Sequence, residues 1–199
     1  MIFFQYGDMK ADQKPTPLPR YDRERWLETA LKVLAKEGGA RLRIDSLVKS
    51  LGVTKGSFYH HFKSREEFVR ELIDFWSREF TQSVIAEVNE QPGTASERLL
   101  KLTRRIEADG LDQFDIAFRS WAAQDPMVAK ALKVVDLQRY EFVRGVFESI
   151  GFSGDDLDMR VRLFLVFVSA RRSVYIPRGA CDAADEILLR HEFLTSKAS

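Results

Sequence analysis

The sequence predicts an all-α protein of about nine helices. Apolar residues recur at spacings of three and four along most of the 199-residue chain, as they do on the buried face of a helix. Helix-capping residues also stand where these stripes begin. The one run whose composition suits a strand, Leu163–Val168, has no candidate pairing partner nearby, so a buried helix is favoured. Because 45% of the residues are hydrophobic, the chain can bury a sizeable core.

The first predicted helix begins after Asp22, whose carboxylate can cap it, and ends at Gly38-Gly39. A short helix follows from Ile44 to Leu51, and another comes after Gly52. Ser64 then opens the sequence SREE, which predicts a capping box with Glu67 at the start of a long helix. Along this helix the apolar residues are spaced by four, at Phe68, Leu72, Trp76, Phe80, Val84 and Val88.

The second half continues as helices separated by clear stop signals. Pro92-Gly93 ends the long helix, and Thr94 to Glu97 form a second predicted capping box. Asp125-Pro126 predicts another helix start, because proline is tolerated at the first helical position. Further helices are predicted over residues 112–124, 126–150, 156–175 and about 181–194.

Composition excludes several classes of protein. The single cysteine, Cys181, allows no disulfide within the chain, which suits a reducing cytoplasm. The opening MIFF is too short for a signal peptide, and the longest apolar run, Leu163–Ala170, is far shorter than the roughly 20 residues that span a bilayer. Residues 20–70 carry 12 Lys/Arg and 7 Asp/Glu, whereas the remainder carries 19 and 23. The basic N-terminal third suggests a polyanionic partner, although an ordinary solvated helical surface gives such an asymmetry nearly as often.

The stretch IDSLVKSLGVTKGSFYHHF, Ile44 to Phe62, is typical of a helix, a tight turn and a second helix. Gly52 stands where the chain must reverse, a position that suits the left-handed backbone conformation. Val53 is expected to fill the gap between the helices, and the Thr54 hydroxyl to cap the second one. Phe58 and Phe62, four residues apart, return to the core.

The outward side of this second helix is then left with small residues and hydrogen-bond donors: Thr54, Lys55, Gly56, Ser57, Tyr59 and His60. A helix that lies deep in the major groove of DNA needs such a surface. Gly56 costs about 0.5–1 kcal/mol relative to alanine inside a helix. Close approach of the backbone to a ligand would offset that cost.

Residues 23–70 resemble the DNA-binding domain of the TetR family of bacterial transcriptional regulators. The sequence LGVTKGSFYHHFKSREEF, Leu51 to Phe68, is very close to the recognition-helix signature of that family. The resemblance implies that residues 54–57 line the groove, that Tyr59 and His60 contact phosphates or bases, and that Lys63 binds the phosphate backbone. Two positions depart from the family pattern. At the start of the second helix, Arg43 stands where the family often has a threonine that caps the helix and contacts phosphate. An arginine can still bind phosphate, but its capping of that helix is in doubt. Val48 stands where the family usually has a small residue.

The rest of the chain is compatible with the ligand-binding and dimerisation bundle of that family. Six aromatic residues are candidates to line a ligand cavity, although ordinary core packing is favoured for each of them: Trp76, Phe80, Phe114, Phe118, Trp121 and Phe147. Four arginines interrupt apolar stretches: Arg119, Arg144, Arg171 and Arg172. Exposure at the surface, or an ion pair with Asp115 or Asp136, is favoured over binding of an anionic effector. The last two helices are expected to pack against a second copy or to complete the core of the monomer.

The sequence therefore predicts a cytoplasmic homodimer that binds a near-palindromic DNA operator and responds to a small-molecule effector, most simply as a repressor. The expected organisation is a flexible arm (1–20), a helix-turn-helix domain (21–66) and a ligand-binding and dimerisation domain (67–199). No cofactor, metal site, membrane partner or catalytic residue is expected, because no metal-ligand spacing, Ser-His-Asp set or phosphate loop is present. The alternative is a helical module that binds a small molecule or protein without DNA.

Overall fold

The computed structural model describes residues 22–39, 42–174 and 182–196, and within these ranges it is helical without a strand. In chain order the helices are α1 (Arg23–Glu37), α2 (Ile44–Leu51), α3 (Lys55–His61), α4 (Arg65–Ser77), α5 (Ser83–Glu90), α6 (Ala95–Ala108), α7 (Asp112–Ala122), α8 (Pro126–Ile150), α9 (Gly154–Ala170) and α10 (Ala183–Thr195). A π-helical turn, Arg78–Gln82, joins α4 to α5, and a 3-10 turn, Arg171–Ser173, follows α9. With α4, the π turn and α5 counted as one, the described ranges hold nine helices, which confirms the predicted all-α class. The predicted arm and Cys181 lie outside the described residues.

Capping residues fix most helix starts. The Asp22 carboxylate accepts a hydrogen bond from the Arg25 amide, and Thr94 and Glu97 form the predicted reciprocal capping box. The prediction at Ser64 is only half right. Its hydroxyl accepts from the Glu67 amide at 3.1 Å, but the Glu67 carboxylate accepts from the amide of Lys63, not from that of Ser64. Glu67 therefore ties down the end of α3 as well as the start of α4.

The π turn explains how one long helix keeps a single buried face. Residues four apart in an α-helix differ by about 40° in direction, so a stripe spaced by four drifts around the helix axis. The π turn takes up one extra residue and rotates α5 relative to α4. As a result, Phe68 near the start and Val88 near the end are both buried.

The first hydrophobic core joins the N-terminal helices to the middle of the chain. It contains Trp26 and Leu34 of α1, Phe58 of α3 and Trp76 of α4. The same cluster continues without a break into Phe118 and Trp121 of α7 and Val128, Leu132 and Val135 of α8. The predicted domain boundary at residue 66 thus falls inside a continuous core.

The second core occupies the other end of the bundle. It is formed by α5, α6, the C-terminal half of α8, α9 and Leu194 of α10. Phe147 lies at its centre, fully buried, with its ring centroid 6.0 Å from that of Phe152 and 6.3 Å from that of Phe164. None of the helices in the described part of the chain has the length and apolarity needed to cross a membrane.

Candidate functional site

The turn between α2 and α3 has the predicted conformation. Gly52 is left-handed, with φ of 66° and ψ of 32°, and its amide bonds back to the end of α2. Val53 packs partly buried against the first core. The Thr54 hydroxyl accepts from the Ser57 amide at 3.3 Å and so caps α3. These local contacts fix the angle at which α3 leaves the turn.

An aromatic cluster beneath α3 holds the helix in place. The Phe58 ring lies 5.6 Å from Trp26, 5.2 Å from Phe62 and 5.3 Å from Phe68, centroid to centroid. The pairs with Trp26 and Phe68 are edge-to-face, and such pairs add about 0.5–1.5 kcal/mol each beyond the area they bury. Since Phe58 and Phe62 are fully buried, α3 cannot turn over without breaking the core, and its opposite side stays outward.

That opposite side is exposed, as the sequence predicts. Thr54, Lys55, Gly56, Tyr59, His60 and Lys63 are all exposed, and Ser57 is partly exposed. The Tyr59 side chain retains 55% of its accessible surface, which is large for an aromatic residue. The structure therefore brings these predicted DNA contacts together on one side of α3 and at its C-terminal end.

Gly56 has no role in folding that the structure reveals. It is helical, and a Cβ added there would meet only the Thr54 hydroxyl oxygen at an ordinary 3.6 Å. Neither positive φ nor a steric clash requires glycine. The absent side chain keeps the outer surface of α3 close to its backbone.

Lys55 is engaged by the preceding helix. Its ammonium lies 2.7 Å from the Asp45 carboxylate of α2, and both side chains are mostly exposed. The hydrogen bond to Asp45, followed by the charge of that carboxylate, raises the pKa of Lys55 above its ordinary value. Because the pair is open to solvent, salt screens it and a phosphate can compete for the lysine.

Arg43 occupies the N-cap of α2 without capping it. It makes no side-chain hydrogen bond to the first turn and is exposed. The departure from the family pattern thus removes the cap, while the guanidinium remains accessible. Val48, the second departure, packs partly buried against the first core.

The second notable region is an interior cavity of about 50 Å³. Its walls come from the π turn, α5, α6, α7, α8 and α9, and most of its lining is apolar. Of the six aromatic residues predicted to line a cavity, Phe80 does so. The Phe114 ring packs 4.8 Å from that of Phe80, while Trp76, Phe118, Trp121 and Phe147 are buried in the two cores.

A polar cluster at one side of the cavity was not predicted as a site. Arg139 of α8 donates to the Asp115 carboxylate, to the Thr81 hydroxyl at 3.0 Å and to the Phe80 carbonyl at 3.4 Å. Asp115 and Thr81 are buried and Arg139 is nearly so. Arg139 thereby joins the π turn to α7. Without these hydrogen bonds, the polar groups of Arg139, Asp115 and Thr81 would be costly to bury.

Asp112, at the start of α7, also lines the cavity and is 1% exposed. One carboxylate oxygen, Oδ2, accepts from Nε of Arg171 at 3.0 Å and from Nε of Arg172 at 2.7 Å. The other oxygen, Oδ1, is buried and has no hydrogen-bond partner in the structure. Arg119 pairs with Asp136 as predicted, at 2.6 Å, and Arg144 pairs with Asp158.

The C-terminal end of α7 contacts the N-terminal helices. A Cβ placed on Gly39, just after α1, would lie 2.4 Å from Cγ of Trp121. The Trp121 side chain therefore rests directly on the backbone at Gly39, where only glycine fits. Helix α7 thus touches the cavity at one end and the α1–α2 region at the other.

An exposed apolar strip lies on α9 and α10. On α9 it includes Met159, Leu163 and Val166, spaced by four and three, and on α10 Leu189 and Phe193, spaced by four. Phe193 is 73% exposed and Val166 67%. Such a strip exceeds the scattered exposed apolar residues of a monomer and is typical of a binding surface.

Comparisons with known proteins agree on the N-terminal region. The sequence model described as "Bacterial regulatory proteins, tetR family" matches residues 27–72. The HTH-type transcriptional repressor KstR2 of Mycolicibacterium smegmatis is 28% identical over 135 residues, which are 68% of this chain and 61% of that protein. The uncharacterized HTH-type transcriptional regulator YerO of Bacillus subtilis is 33% identical over 54 residues, 27% of this chain and 19% of that protein. These matches span less than two thirds of either relative.

Solved structures resemble the chain over most of its length. The crystal structure of AibR in complex with isovaleryl coenzyme A and operator DNA has a TM-score of 0.69 at 17% identity, covering 89% of this chain and 98% of that one. The structure of KstR2 of Mycobacterium tuberculosis has a TM-score of 0.64 at 22% identity, covering 87% and 92%. FadR of Bacillus subtilis in complex with stearoyl-CoA has a TM-score of 0.64 at 16% identity, covering 88% and 98%.

At these identities the likeness to solved structures establishes the fold alone, a helix-turn-helix followed by a helical bundle. The match at residues 27–72 coincides with α1 to α4 and includes the exposed face of α3. Together with the relatives named as HTH-type regulators, this match shows that residues 27–72 are similar to the corresponding region of bacterial regulatory proteins of the tetR family.

Proposed function

We propose that this protein is a cytoplasmic, ligand-responsive repressor that binds a near-palindromic DNA operator as a homodimer. The exposed face of α3 carries the proposal. It presents donors and a bare glycine on a helix that is held rigid by buried aromatics. This combination suits insertion into the major groove, where side chains read base edges and phosphates fix the register.

The proposed DNA contacts are Arg43, Thr54, Lys55, Gly56, Ser57, Tyr59, His60 and Lys63. Arg43 precedes α2 and Lys63 follows α3, both are exposed, and both are proposed to bind the phosphate backbone. Lys55 reaches DNA by exchanging Asp45 for a phosphate. In this arrangement residues 21–66 form the DNA-binding unit and residues 67–199 the ligand-binding and dimerisation unit.

The exposed strip on α9 and α10 supports the homodimer. Two copies that join their strips form a four-helix interface with two-fold symmetry. Their recognition helices can then read two half-sites about 34 Å apart. The symmetry of the proposed operator follows from the symmetry of this interface.

The interior cavity supports the response to a ligand. The related structures of AibR and FadR are named as complexes with acyl coenzyme A molecules, which makes a small-molecule effector in the bundle a reasonable proposal here as well. Phe80 is the predicted aromatic that lines the cavity; Phe114, Trp76, Phe118, Trp121 and Phe147 form the packing behind its wall. A ligand that binds one arrangement of the bundle more tightly than another shifts the equilibrium between them, and with it the affinity for DNA. The shift cannot exceed the difference between the ligand's binding free energies for the two arrangements.

The test is a gel-shift and footprinting experiment on the DNA upstream of the protein's own gene. The proposal expects a protected, near-palindromic site, with affinity that falls steeply as salt rises. Absence of any salt-sensitive, sequence-selective binding would overturn it.

The double variant Tyr59→Ala plus Lys63→Ala distinguishes the proposed regulator from the alternative, a helical module that does not bind DNA. Both side chains are exposed, so the fold is expected to survive. If the protein is a DNA-binding regulator, each lost contact of about 1–3 kcal/mol lowers its DNA affinity by about fivefold to 150-fold. Loss of the lysine also lowers the slope of the salt dependence by about one. Lys130→Ala, an exposed lysine of α8, is the matched control and leaves DNA affinity unchanged.

A further inference from the structure

The interior cavity is too small to be a complete effector site. At about 50 Å³ it has room for about four water molecules, whereas pockets that bind small molecules usually measure about 300–1,000 Å³. An effector of the kind proposed above therefore needs further space that adjoins the cavity.

An open groove of about 620 Å³ lies on the surface between α8 and α9. Its lining is mostly apolar and includes Leu137 and Tyr140 of α8 and Val166 and Ala170 of α9. The Leu137 side chain is 59% exposed there. The groove has the size of a small-molecule pocket, and through Val166 it adjoins the apolar strip proposed for dimerisation.

Two side chains, Arg139 of α8 and Leu165 of α9, line both the cavity and the groove. Arg139 is fixed in place, because it donates to the Thr81 hydroxyl at 3.0 Å and to the buried Asp115 carboxylate. Leu165, by contrast, is held by apolar packing and lies partly buried against the second core. Beside Arg139, the boundary between the cavity and the groove is therefore a single leucine side chain.

The cavity side of this boundary suits a hydrocarbon chain. Besides Arg139 and Leu165, the described residues that α8 and α9 contribute to the cavity are apolar: Phe142, Val143, Phe164 and Val168. Each methylene group that leaves water to enter such surroundings strengthens binding by about fourfold. The cavity can thus hold the end of an apolar chain whose remainder lies in the groove.

The groove carries more positive than negative charge. Arg119 and Asp136 neutralise each other in a bidentate ion pair, with N–O distances of 2.9 and 2.6 Å. Arg139 is paired with Asp115. Arg162 is exposed, lines the groove and has no acidic partner within 4 Å among the residues that the structure describes. Its guanidinium favours an anionic group in the groove over a cationic one.

We infer that the cavity and the groove together bind an anionic amphiphile, of which a medium-chain carboxylate is the simplest case. Its apolar tail enters the cavity past Leu165, and its anionic group lies against Arg162 in the groove. Rotation of the Leu165 side chain opens the passage, while Arg139 keeps its hydrogen bonds. This inference deepens the proposed effector site and rests on it.

The experiment compares octanoate with 1-octanol and octylammonium, which have chains of similar length and different end groups. Binding to the full-length protein, without DNA, is followed by NMR titration of valine methyl groups. Val143 lines the cavity but not the groove, and Val166 lines the groove but not the cavity, so the two residues report on the two spaces separately.

We expect octanoate to shift the signals of both valines in a saturable manner. Because an exposed ion pair adds little, octanoate should bind about twofold to fivefold tighter than 1-octanol, and octylammonium should bind more weakly than either. A response of Val166 without Val143 overturns the inference, as does octanoate binding no tighter than 1-octanol, a preference for the cation, or no saturable binding.

Two variants assign the binding to this passage and this arginine. Leu165→Trp fills the passage and should weaken octanoate binding about tenfold to hundredfold, because two or three methylene groups then stay in water. Arg162→Gln should remove the preference for octanoate over 1-octanol, whereas Arg65→Gln, at an exposed arginine of α4, is the matched control and should keep it. Undiminished binding in Leu165→Trp, or a preference that survives Arg162→Gln, contradicts the inference. If Leu165→Trp does not fold, the Val143 response of the native protein still decides.

A parallel gel shift separates this inference from the proposed function. If octanoate binds as expected but leaves DNA affinity unchanged, the site stands and its role as the effector site fails. If another ligand releases the DNA while octanoate does not bind, the effector role stands and the assigned ligand class fails.

Discussion

The fold does not require a glycine at position 56, whereas the proposed function does. Its neighbours leave room for a methyl group, and glycine destabilises a helix by about 0.5–1 kcal/mol relative to alanine. A residue that weakens the fold without a structural reason points to a surface that something else approaches. The same argument does not apply to Gly52, whose positive φ is required by the turn.

We therefore predict that Gly56→Ala raises the free energy of unfolding by about 0.5–1 kcal/mol and weakens operator binding by about tenfold, because the methyl group holds the helix away from the bases. Urea unfolding and gel shifts measure the two effects. Gly145→Ala is the matched control, since that helical glycine of α8 also has nothing near an added Cβ. It should gain stability without losing DNA affinity. Unchanged operator binding in Gly56→Ala would argue against close approach at this position.

His191 on α10 is a residue whose protonation should affect stability. Its Nε2 lies 2.9 Å from the Ser96 hydroxyl of α6, and its Nδ1 is buried without a partner. Burial, and then the charge of Arg104, lower the pKa of His191 below its ordinary 6.5. The unfolded chain therefore binds the proton more readily than the folded one, and this contribution to stability declines as pH falls through about 6.5.

His191→Gln keeps a polar side chain but cannot titrate. We expect its unfolding free energy to fall less steeply than that of the native protein between pH 7.5 and about 5, as measured by urea unfolding. His60→Gln, at an exposed position on α3, is the control and should leave the native profile unchanged. An identical slope in native protein and His191→Gln would rule out this role for the histidine.

At the level of helices, sequence patterns predict what is encoded locally. Caps at Asp22 and Thr94 and the left-handed Gly52 were predictable because each depends on residues at most four positions away. The π turn was not predicted. Its signal in the sequence is the constant spacing of four from Phe68 to Val88, which exceeds the roughly 3.6 residues per turn of an α-helix and so cannot stay on one face without an extra residue. The cavity's polar side could not be predicted, because Arg139 meets Thr81 across 58 positions and Asp112 meets Arg171 across 59. Asp112 and Asp115, two carboxylates one helical turn apart in α7, were the available hint.

Helix α7 offers a direct test of how the two ends of the bundle are linked. We predict that Gly39→Ala destabilises the protein by about 1–3 kcal/mol, as overpacking of a core usually does, because the added Cβ overlaps Trp121. In a double-mutant cycle with Trp121→Ala, the cost of Gly39→Ala should largely disappear, because its steric partner is gone. Additive costs in the cycle would mean that the two residues do not oppose each other.

For the whole molecule, the proposed homodimer depends on the apolar strip on α9 and α10. We predict that Val166→Glu converts a dimer to a monomer of 23.0 kDa, because a charge would be buried at the centre of the interface. Light scattering coupled to size-exclusion chromatography measures the mass, and operator affinity should fall in parallel. Val134→Glu, an exposed apolar position on α8, is the control and should remain dimeric. A native protein that is already monomeric would contradict the proposed assembly.

The core shared by α1, α3, α4, α7 and α8 has a consequence for protein engineering. Consider a chimera in which residues up to 66, the boundary expected from the sequence, are replaced by those of another protein. The junction would divide this core, and Phe118 and Trp121 would then face side chains with which they are not matched. A successful graft would have to carry those two aromatic residues, together with the glycine on which the indole rests, as part of the transplanted module.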